Sequence, residues 1–123
     1  MSLKVLVADD DCLMRTFVSV SLAGFADAEV TEAADGDEAL ALFEQDDFDL
    51  VLLDWDMPGK NGLEIIKAIR GRGCRVPVIM VTAHAEREQV VTALQSGASD
   101  YLIKPFRSEA LREKLKKFFP QER

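Results

Sequence analysis

The sequence predicts an α/β fold in which five parallel strands alternate with five helices. Short apolar runs rich in branched side chains recur along the chain, and each is followed by a longer segment with apolar residues at helical spacing. Parallel neighbours in a sheet need a helical crossover, so this alternation predicts a parallel sheet with helices packed on it. The predicted strands comprise residues 5–8, 29–33, 50–53, 76–81 and 101–103.

The predicted strands differ in polarity, and the difference indicates their position in the sheet. Residues 50–53 and 76–81 are uniformly apolar, which is typical of strands buried on both faces of a parallel sheet. Residues 29–33, Glu-Val-Thr-Glu-Ala, alternate polar and apolar side chains instead. This second strand is therefore predicted to lie at an edge of the sheet.

The helices are predicted from apolar positions spaced three or four residues apart. Glycine and proline mark their limits: Gly36 opens the second helix, Pro58, Gly59 and Gly62 precede the third, and Gly97 closes the fourth. The apolar positions, in chain order, are Leu13, Met14, Phe17, Val18, Val20 and Leu22; Ala39, Leu40 and Phe43; Leu63, Ile66 and Ile69; Val90, Val91 and Leu94; and Leu111, Leu115 and Phe118.

Length, charge and cysteine usage narrow the class of protein. A chain of 123 residues with 48% hydrophobic content fits one domain, residues 1–123, with a true core. The net charge of -7 disfavours direct nucleic-acid binding, which needs clustered Lys and Arg. The apolar runs are far shorter than the ~20 residues that span a bilayer, and no segment resembles a signal peptide. Cys12 and Cys74 fit neither a disulfide framework nor a zinc site, so a cytoplasmic protein is expected.

Chemically versatile side chains follow four of the five predicted strands. Asp9 and Asp10 follow the first strand, Asp54 the third, Thr82 the fourth and Lys104 the fifth. Ligand sites in parallel α/β sheets form beyond the carboxyl ends of the strands. We therefore expect these five residues to converge on one site.

A cluster of carboxylates needs something to offset its repulsion. Two carboxylates about 4 Å apart repel by about 4 kcal/mol at an effective dielectric constant of about 20. Protonation of one carboxylate or binding of a hard divalent cation relieves this cost. An all-oxygen cluster without His or thiolate ligands suits Mg²⁺, which is the expected cofactor.

The same residues suit phosphoryl transfer, which needs an in-line nucleophile and positive charge around the phosphoryl oxygens. Asp54 can form an acyl phosphate directly, because a carboxylate needs no general base. Lys104, the cation and the Thr82 hydroxyl would then each pair with one phosphoryl oxygen. Asp54 is thus the expected phosphoacceptor, with Lys104 and Thr82 as its catalytic partners.

Four motifs in order resemble the response regulator receiver family, and in particular its CheY-like members. They are Val-Leu-Val-Ala-Asp-Asp-Asp at residues 5–11, Leu-Leu-Asp-Trp-Asp-Met-Pro-Gly at 52–59, Val-Thr-Ala at 81–83 and Lys-Pro-Phe at 104–106. One such motif is weak evidence, but four in order, each at the end of a predicted strand, are specific. The resemblance spans essentially the whole chain and implies a flavodoxin-like, three-layer (βα)5 fold with strand order 2-1-3-4-5.

The resemblance also implies a ligand set and partners. Asp10 and Asp54 would hold Mg²⁺ through their side chains, Asp9 largely through water, and Asp56 through its backbone carbonyl. The phosphodonor would be a histidine kinase or a histidine phosphotransfer protein. The domain would catalyse only its own phosphorylation and dephosphorylation, so it is not expected to be an enzyme with a separate substrate.

The output of such a domain is expected to depend on two residues that change position together, a switch pair. The resemblance identifies this pair as Thr82, whose hydroxyl would move towards the phosphoryl group, and Tyr101, whose ring would turn inward. The signal would be read by a downstream protein on the face formed by the fourth helix, fifth strand and fifth helix. The resemblance also implies a cis bond between Lys104 and Pro105.

Other interpretations stay open at this point. Asp11 could serve only as a helix N-cap, Tyr101 could simply pack in the core, and His84 is interpreted as exposed rather than as a metal ligand. The whole domain could be a degenerate receiver that binds partners without phosphorylation. A haloacid-dehalogenase-type phosphatase is a weaker alternative, because its Asp-x-Asp motif, which Asp54 and Asp56 superficially match, lies on the first strand.

Overall fold

The computed structural model describes residues 2–120 and contains five strands and five helices in strict alternation. The strands are β1 (Ser2–Ala8), β2 (Asp27–Ala33), β3 (Leu50–Leu53), β4 (Val78–Thr82) and β5 (Asp100–Ile103). The helices are α1 (Cys12–Ala23), α2 (Gly36–Gln45), α3 (Gly62–Gly71), α4 (Arg87–Ser96) and α5 (Ser108–Phe118). This element order confirms the predicted alternation.

The five strands form one parallel sheet in the order β2-β1-β3-β4-β5. The more polar β2 lies at one edge, as its alternating pattern predicts. The chain reverses its direction of progress between β1 and β3, which is where such sheets open a crevice for ligands. The carboxyl ends of these two strands therefore frame the expected site.

Four of the five strands differ from the prediction in their bounds: β2 begins at Asp27 rather than at residue 29, β5 begins at Asp100 rather than at residue 101, and β1 and β4 differ as follows. The first strand begins at Ser2 rather than at residue 5, because residues 2–4 pair with β2 alone. The fourth strand is Val78–Thr82 rather than 76–81. Pro77, which has no N–H, precedes this strand, and its carbonyl accepts the hydrogen bond from the Val51 amide.

The core lies on both faces of the sheet, and β3 shows how the chain divides between them. Leu50 and Leu52 pack with residues of α1 and α5, whereas Val51 and Leu53 pack with residues of α2, α3 and α4. This division follows from the alternation of side chains along a strand. Helices on both faces give the three layers that the family resemblance implies. No helix among residues 2–120 is long and apolar enough to cross a membrane.

Side-chain caps and close glycine contacts fix how the helices start. The Asp11 carboxylate accepts a hydrogen bond from the Leu13 amide, so it caps α1 as predicted. Gly62, the first residue of α3, donates its N–H to the Trp55 carbonyl at 2.8 Å. A Cβ atom at position 62 would lie 2.3 Å from the backbone oxygen of Asp54, so only glycine fits there.

The Arg70 guanidinium joins the end of α3 to the segments that precede β4 and β5. It donates to the backbone carbonyls of Gly97 (2.9 Å), Cys74 (3.0 Å) and Val76 (2.8 Å), and to the Ser99 hydroxyl at 3.3 Å. One side chain thus satisfies three backbone carbonyls that lie outside the helix and strand ladders.

We expect Arg70→Ala to lower the free energy of unfolding by about 2 kcal/mol, because it leaves several partly buried acceptors without a donor. Urea denaturation at neutral pH measures this change. Arg72→Ala is the matched control, since the Arg72 side chain makes an exposed ion pair with Glu44 and its loss should change stability by less than about 1 kcal/mol. Equal losses for the two variants would contradict the role assigned to Arg70.

Candidate functional site

The sheet register brings the predicted site residues together. Ala8 pairs with Leu53, so Asp9 and Asp54 follow directly on adjacent strands, and the Asp54 amide donates to the Ala8 carbonyl at 2.9 Å. On the other side of β3, β4 ends at Thr82, whose carbonyl accepts from the Lys104 amide at 2.9 Å. The convergence predicted from strand ends is therefore present.

Three carboxylates form a tight cluster at this edge. Each of Asp9, Asp10 and Asp54 offers one oxygen, and these oxygens lie within 4.8 Å of one another. Asp9 is 3% exposed and Asp54 is 8% exposed, whereas Asp10 is open to solvent. The cluster is thus buried on one side and open on the other, as a site that accepts an incoming group must be.

Lys104 lies inside the acidic cluster. Its Nζ atom donates to Oδ2 of Asp9 at 2.6 Å and to Oδ2 of Asp54 at 3.0 Å. The peptide bond between Lys104 and Pro105 is cis, as the family resemblance implies. A single ammonium group therefore bridges the two buried carboxylates and offsets part of their repulsion.

The pKa values of this group of charges are shifted by their surroundings. Burial raises the pKa of Asp9 above its usual 3.8, and the hydrogen bond from Lys104 only partly opposes this effect. Burial lowers the pKa of Lys104, but its bonds to Asp9 and Asp54 outweigh burial and raise the pKa overall. Lys104 therefore stays charged at neutral pH, and ionisation of Asp9 costs more free energy than ionisation of an exposed aspartate.

Because the folded-state pKa of Asp9 is raised, stability falls as the pH rises from the unfolded value of 3.8 through the folded-state pKa, and the loss is complete above it. We therefore expect Asp9→Asn to raise the free energy of unfolding by about 1 kcal/mol at pH 7 without divalent cations. The gain should shrink as the pH falls to 3.8 and vanish well below it, where wild-type Asp9 is protonated in both the folded and the unfolded chain.

Urea denaturation at neutral and acidic pH measures this effect. Asp47→Asn, which removes an exposed carboxylate, is the control and should change stability by less than about 0.5 kcal/mol. A variant at position 9 less stable than the wild type at pH 7 would show that the bond from Lys104 matters more than burial.

The donor set of the cluster fits a magnesium ion. All three side chains offer hard carboxylate oxygens, and the exposed Asp10 leaves room for water ligands, which Mg²⁺ usually retains. The Asp56 carboxylate is not part of this cluster, because it turns towards His84. Of Asp56, only the backbone carbonyl stays an expected ligand.

Thr82 and Tyr101, the expected switch pair, lie beside the cluster. Thr82 is 1% exposed at the end of β4. The Tyr101 ring is buried, and its hydroxyl donates to the backbone carbonyl of His84 at 2.8 Å. Burial, followed by the charges of nearby carboxylates, raises the pKa of Tyr101, so its hydroxyl remains a donor at neutral pH. The ring therefore packs inward without a phosphoryl group on Asp54.

His84 differs from its interpretation as an exposed residue. Its side chain is 28% exposed, and Nε2 lies 2.6 Å from Oδ2 of Asp56. Its ring also contacts Trp55, with ring centroids 5.6 Å apart. A lone histidine in a loop gives no sequence signal for such contacts, because they depend on how the loops after β3 and β4 meet.

Comparison with known families gives one match that covers most of the chain. The family described as "Response regulator receiver domain" matches residues 5–116. Among curated relatives, the chain is 38% identical over 119 residues to "Chemotaxis protein CheY" of Pseudomonas aeruginosa, covering 95% of this chain and 96% of the relative. It is 41% identical over 120 residues to "Chemotaxis protein CheY-3" of Vibrio cholerae, covering 96% and 92%.

Solved structures agree with this match. The chemotaxis response regulator CheY4 of Vibrio cholerae superposes with a TM-score of 0.88 at 36% identity, covering 97% of this chain and 100% of that chain. The receiver domain of the Francisella response regulator 1452 superposes with a TM-score of 0.87 at 34% identity, covering 94% and 95%. The fold and the sequence therefore point to the same family.

Proposed function

This chain belongs to the response regulator receiver domain family, and we propose that it works as a phosphoacceptor switch in a two-component phosphorelay. The observation that carries the proposal is the position of Lys104. Its ammonium group bonds both Asp9 and Asp54 at the edge of a three-carboxylate cluster. This arrangement supplies a nucleophile and a fixed positive charge in one small site.

Asp54 is the proposed nucleophile. One of its carboxylate oxygens attacks the phosphorus atom of a phosphohistidine on the donor, the P–N bond breaks, and the freed imidazole nitrogen keeps the electron pair and takes up a proton. The product is an acyl phosphate on Asp54. The physiological donor is a histidine kinase or a histidine phosphotransfer protein, and the domain catalyses only its own phosphorylation and dephosphorylation.

Magnesium is the proposed cofactor of this reaction. Asp10 and Asp54 would hold it through their side chains, Asp9 largely through water and Asp56 through its backbone carbonyl. When bound, Mg²⁺ supplies positive charge to the phosphoryl oxygens and to the acidic cluster. Asp9 would then keep its negative charge at a lower cost.

Lys104 and Thr82 are proposed to hold the other phosphoryl oxygens. The ammonium of Lys104 lies 3.0 Å from Oδ2 of Asp54. It can therefore pair with the carboxylate before transfer and with a phosphoryl oxygen after it. The Thr82 hydroxyl donates to a further oxygen. Both groups stay charged or protonated at neutral pH, so neither needs a proton transfer to act.

The output is proposed to depend on the pair Thr82 and Tyr101. Movement of the Thr82 hydroxyl towards the phosphoryl group favours the inward ring of Tyr101. The face formed by α4, β5 and α5 carries three exposed apolar side chains: Val91, Leu94 and Ile103. We infer that a downstream protein in the cytoplasm binds this face, and that the domain contacts neither nucleic acid nor membrane.

Incubation with acetyl phosphate and Mg²⁺ tests the proposal. Intact-mass spectrometry should show one added phosphoryl group, and treatment with hydroxylamine should remove it, because acyl phosphates react with this nucleophile. An unmodified mass would favour the phosphorylation-independent interaction module. Sustained release of phosphate from small esters would favour the phosphatase, although the Asp56 carboxylate is 75% exposed and bound to His84 rather than placed over Asp54.

A further inference from the structure

The His84 side chain has a partner on each side. Its Nε2 atom bonds Oδ2 of Asp56 at 2.6 Å, and its Nδ1 atom is hydrogen-bonded to the side-chain amide of Gln89 at 2.9 Å. Asp56 lies in the loop after β3, and Gln89 lies in the first turn of α4. The imidazole therefore connects the segment that follows the phosphoacceptor Asp54 to the start of α4.

The backbone of the same residue holds Tyr101. The Tyr101 hydroxyl donates to the His84 carbonyl at 2.8 Å, and this is the hydrogen bond that keeps the phenol end of the ring under the loop between β4 and α4. The imidazole ring and this carbonyl both belong to His84, so the hydrogen bonds of the imidazole restrict where the carbonyl can lie.

Few other contacts hold this loop in place. Glu86, the N-cap residue of α4, makes no side-chain capping bond to any residue in the described range 2–120, and its carboxylate instead accepts from the Gln89 amide at 3.1 Å when the oxygen of that amide accepts from Nδ1 of His84. Among the ten residues of α4, all of which are described, Ala93 alone is buried. The His84 amide reaches the Thr82 hydroxyl only at 3.4 Å, which is a weak contact. The position of the loop therefore depends strongly on the bonds of the His84 ring.

We propose that His84 is a positioning residue of the switch: its ring, held between Asp56 and Gln89, fixes the loop between β4 and α4 so that its own carbonyl receives the Tyr101 hydroxyl. This inference rests on the proposed function, since it assigns His84 to the Thr82 and Tyr101 output. It predicts that the inward position of Tyr101 is stabilised by side chains outside the acidic cluster, in addition to any effect of a phosphoryl group.

The chain has one tyrosine, so ring-¹³C-tyrosine labelling gives NMR signals from Tyr101 alone. We expect His84→Phe, which keeps an aromatic ring against Trp55 but removes both ring nitrogens, to shift these signals towards those of a solvent-exposed tyrosine. Beryllium fluoride with Mg²⁺, which mimics a phosphoryl group, should restore the wild-type signals. Beryllium fluoride should bind His84→Phe about threefold to tenfold more weakly than it binds the wild type, which is the range expected for one or two net hydrogen bonds.

Two further variants complete the experiment. Gln89→Ala removes one partner of the ring and should shift the Tyr101 signals in the same direction by a smaller amount. Glu88→Gln changes an exposed neighbour in the same helical turn and should leave them unchanged. Wild-type Tyr101 signals in unliganded His84→Phe would overturn the inference.

The two proposals fail separately in this experiment. The comparison of unliganded wild type with unliganded His84→Phe decides the role of His84, whether or not the mimic binds. Failure of the wild type to bind beryllium fluoride with Mg²⁺, followed through the fluorescence of Trp55 beside Asp54, would instead count against the phosphoacceptor function.

Discussion

Asp54→Asn should abolish phosphorylation by acetyl phosphate and by a phosphohistidine donor. Asparagine has nearly the shape of aspartate, but its neutral amide is a poor nucleophile towards phosphorus. Loss of the attacking carboxylate should reduce the rate by more than about a thousandfold, as expected when the group that forms the covalent bond is removed. Intact-mass spectrometry after incubation with acetyl phosphate and Mg²⁺ measures the result.

The fold of this variant should survive, because the asparagine oxygen can still accept the hydrogen bond from Lys104 and the Asp54 backbone contacts are unchanged. Asp47→Asn, an exposed substitution of the same kind, is the matched control and should be phosphorylated like the wild type. Undiminished labelling of Asp54→Asn would place the phosphoacceptor elsewhere and remove the basis of the proposed function.

Removing magnesium should have the second-largest effect. With EDTA in excess, we expect phosphotransfer to slow by about a hundredfold to a thousandfold, because cation charge stabilisation is worth several kcal/mol in such a reaction. Adding Mg²⁺ beyond the chelator should restore the rate. The time course of mass increase under these three conditions gives the measurement.

Asp10→Asn is the variant matched to this experiment, since Asp10 is exposed and makes none of the bonds to Lys104. It should need a higher Mg²⁺ concentration for half-maximal rate. In the wild type, Mg²⁺ should also raise the melting temperature, because a ligand that binds only the folded chain stabilises it. Transfer that persists at full rate in EDTA would exclude the metal from the mechanism.

Most of the fold could be predicted because local pattern and global topology agree in this chain. The uniformly apolar run Leu50–Leu53 is buried on both faces, and the alternating run that ends at Ala33 lies at the edge of the sheet. The apolar pattern predicts the start of the fourth strand two residues too early. Valine at position 76 is apolar, but Pro77 has no N–H to donate to a neighbouring strand, and hydropathy does not reflect this missing hydrogen bond.

The sequence predicts which residues meet at the site, but it does not predict which hydrogen bonds they form there. Strand ends bring Asp9, Asp54 and Lys104 together by topology alone. That Lys104 bridges Asp9 and Asp54, rather than pairing with the exposed Asp10, depends on side-chain geometry that no spacing encodes. The pairing of His84 with Asp56 was missed for the same reason, because it joins two loops whose relative position is set by the sheet.

The absence of a side chain at position 62 has a consequence for how this domain tolerates mutation. Gly62 carries no functional group, yet the space it leaves empty is what allows the start of the third helix to touch the main chain of Asp54, the proposed phosphoacceptor. In a library of random substitutions, this position should rank with Asp54 in sensitivity. Substitutions at position 62 are harmful because any added side chain would fill a space that must stay empty. A search for reactive groups alone would overlook this position.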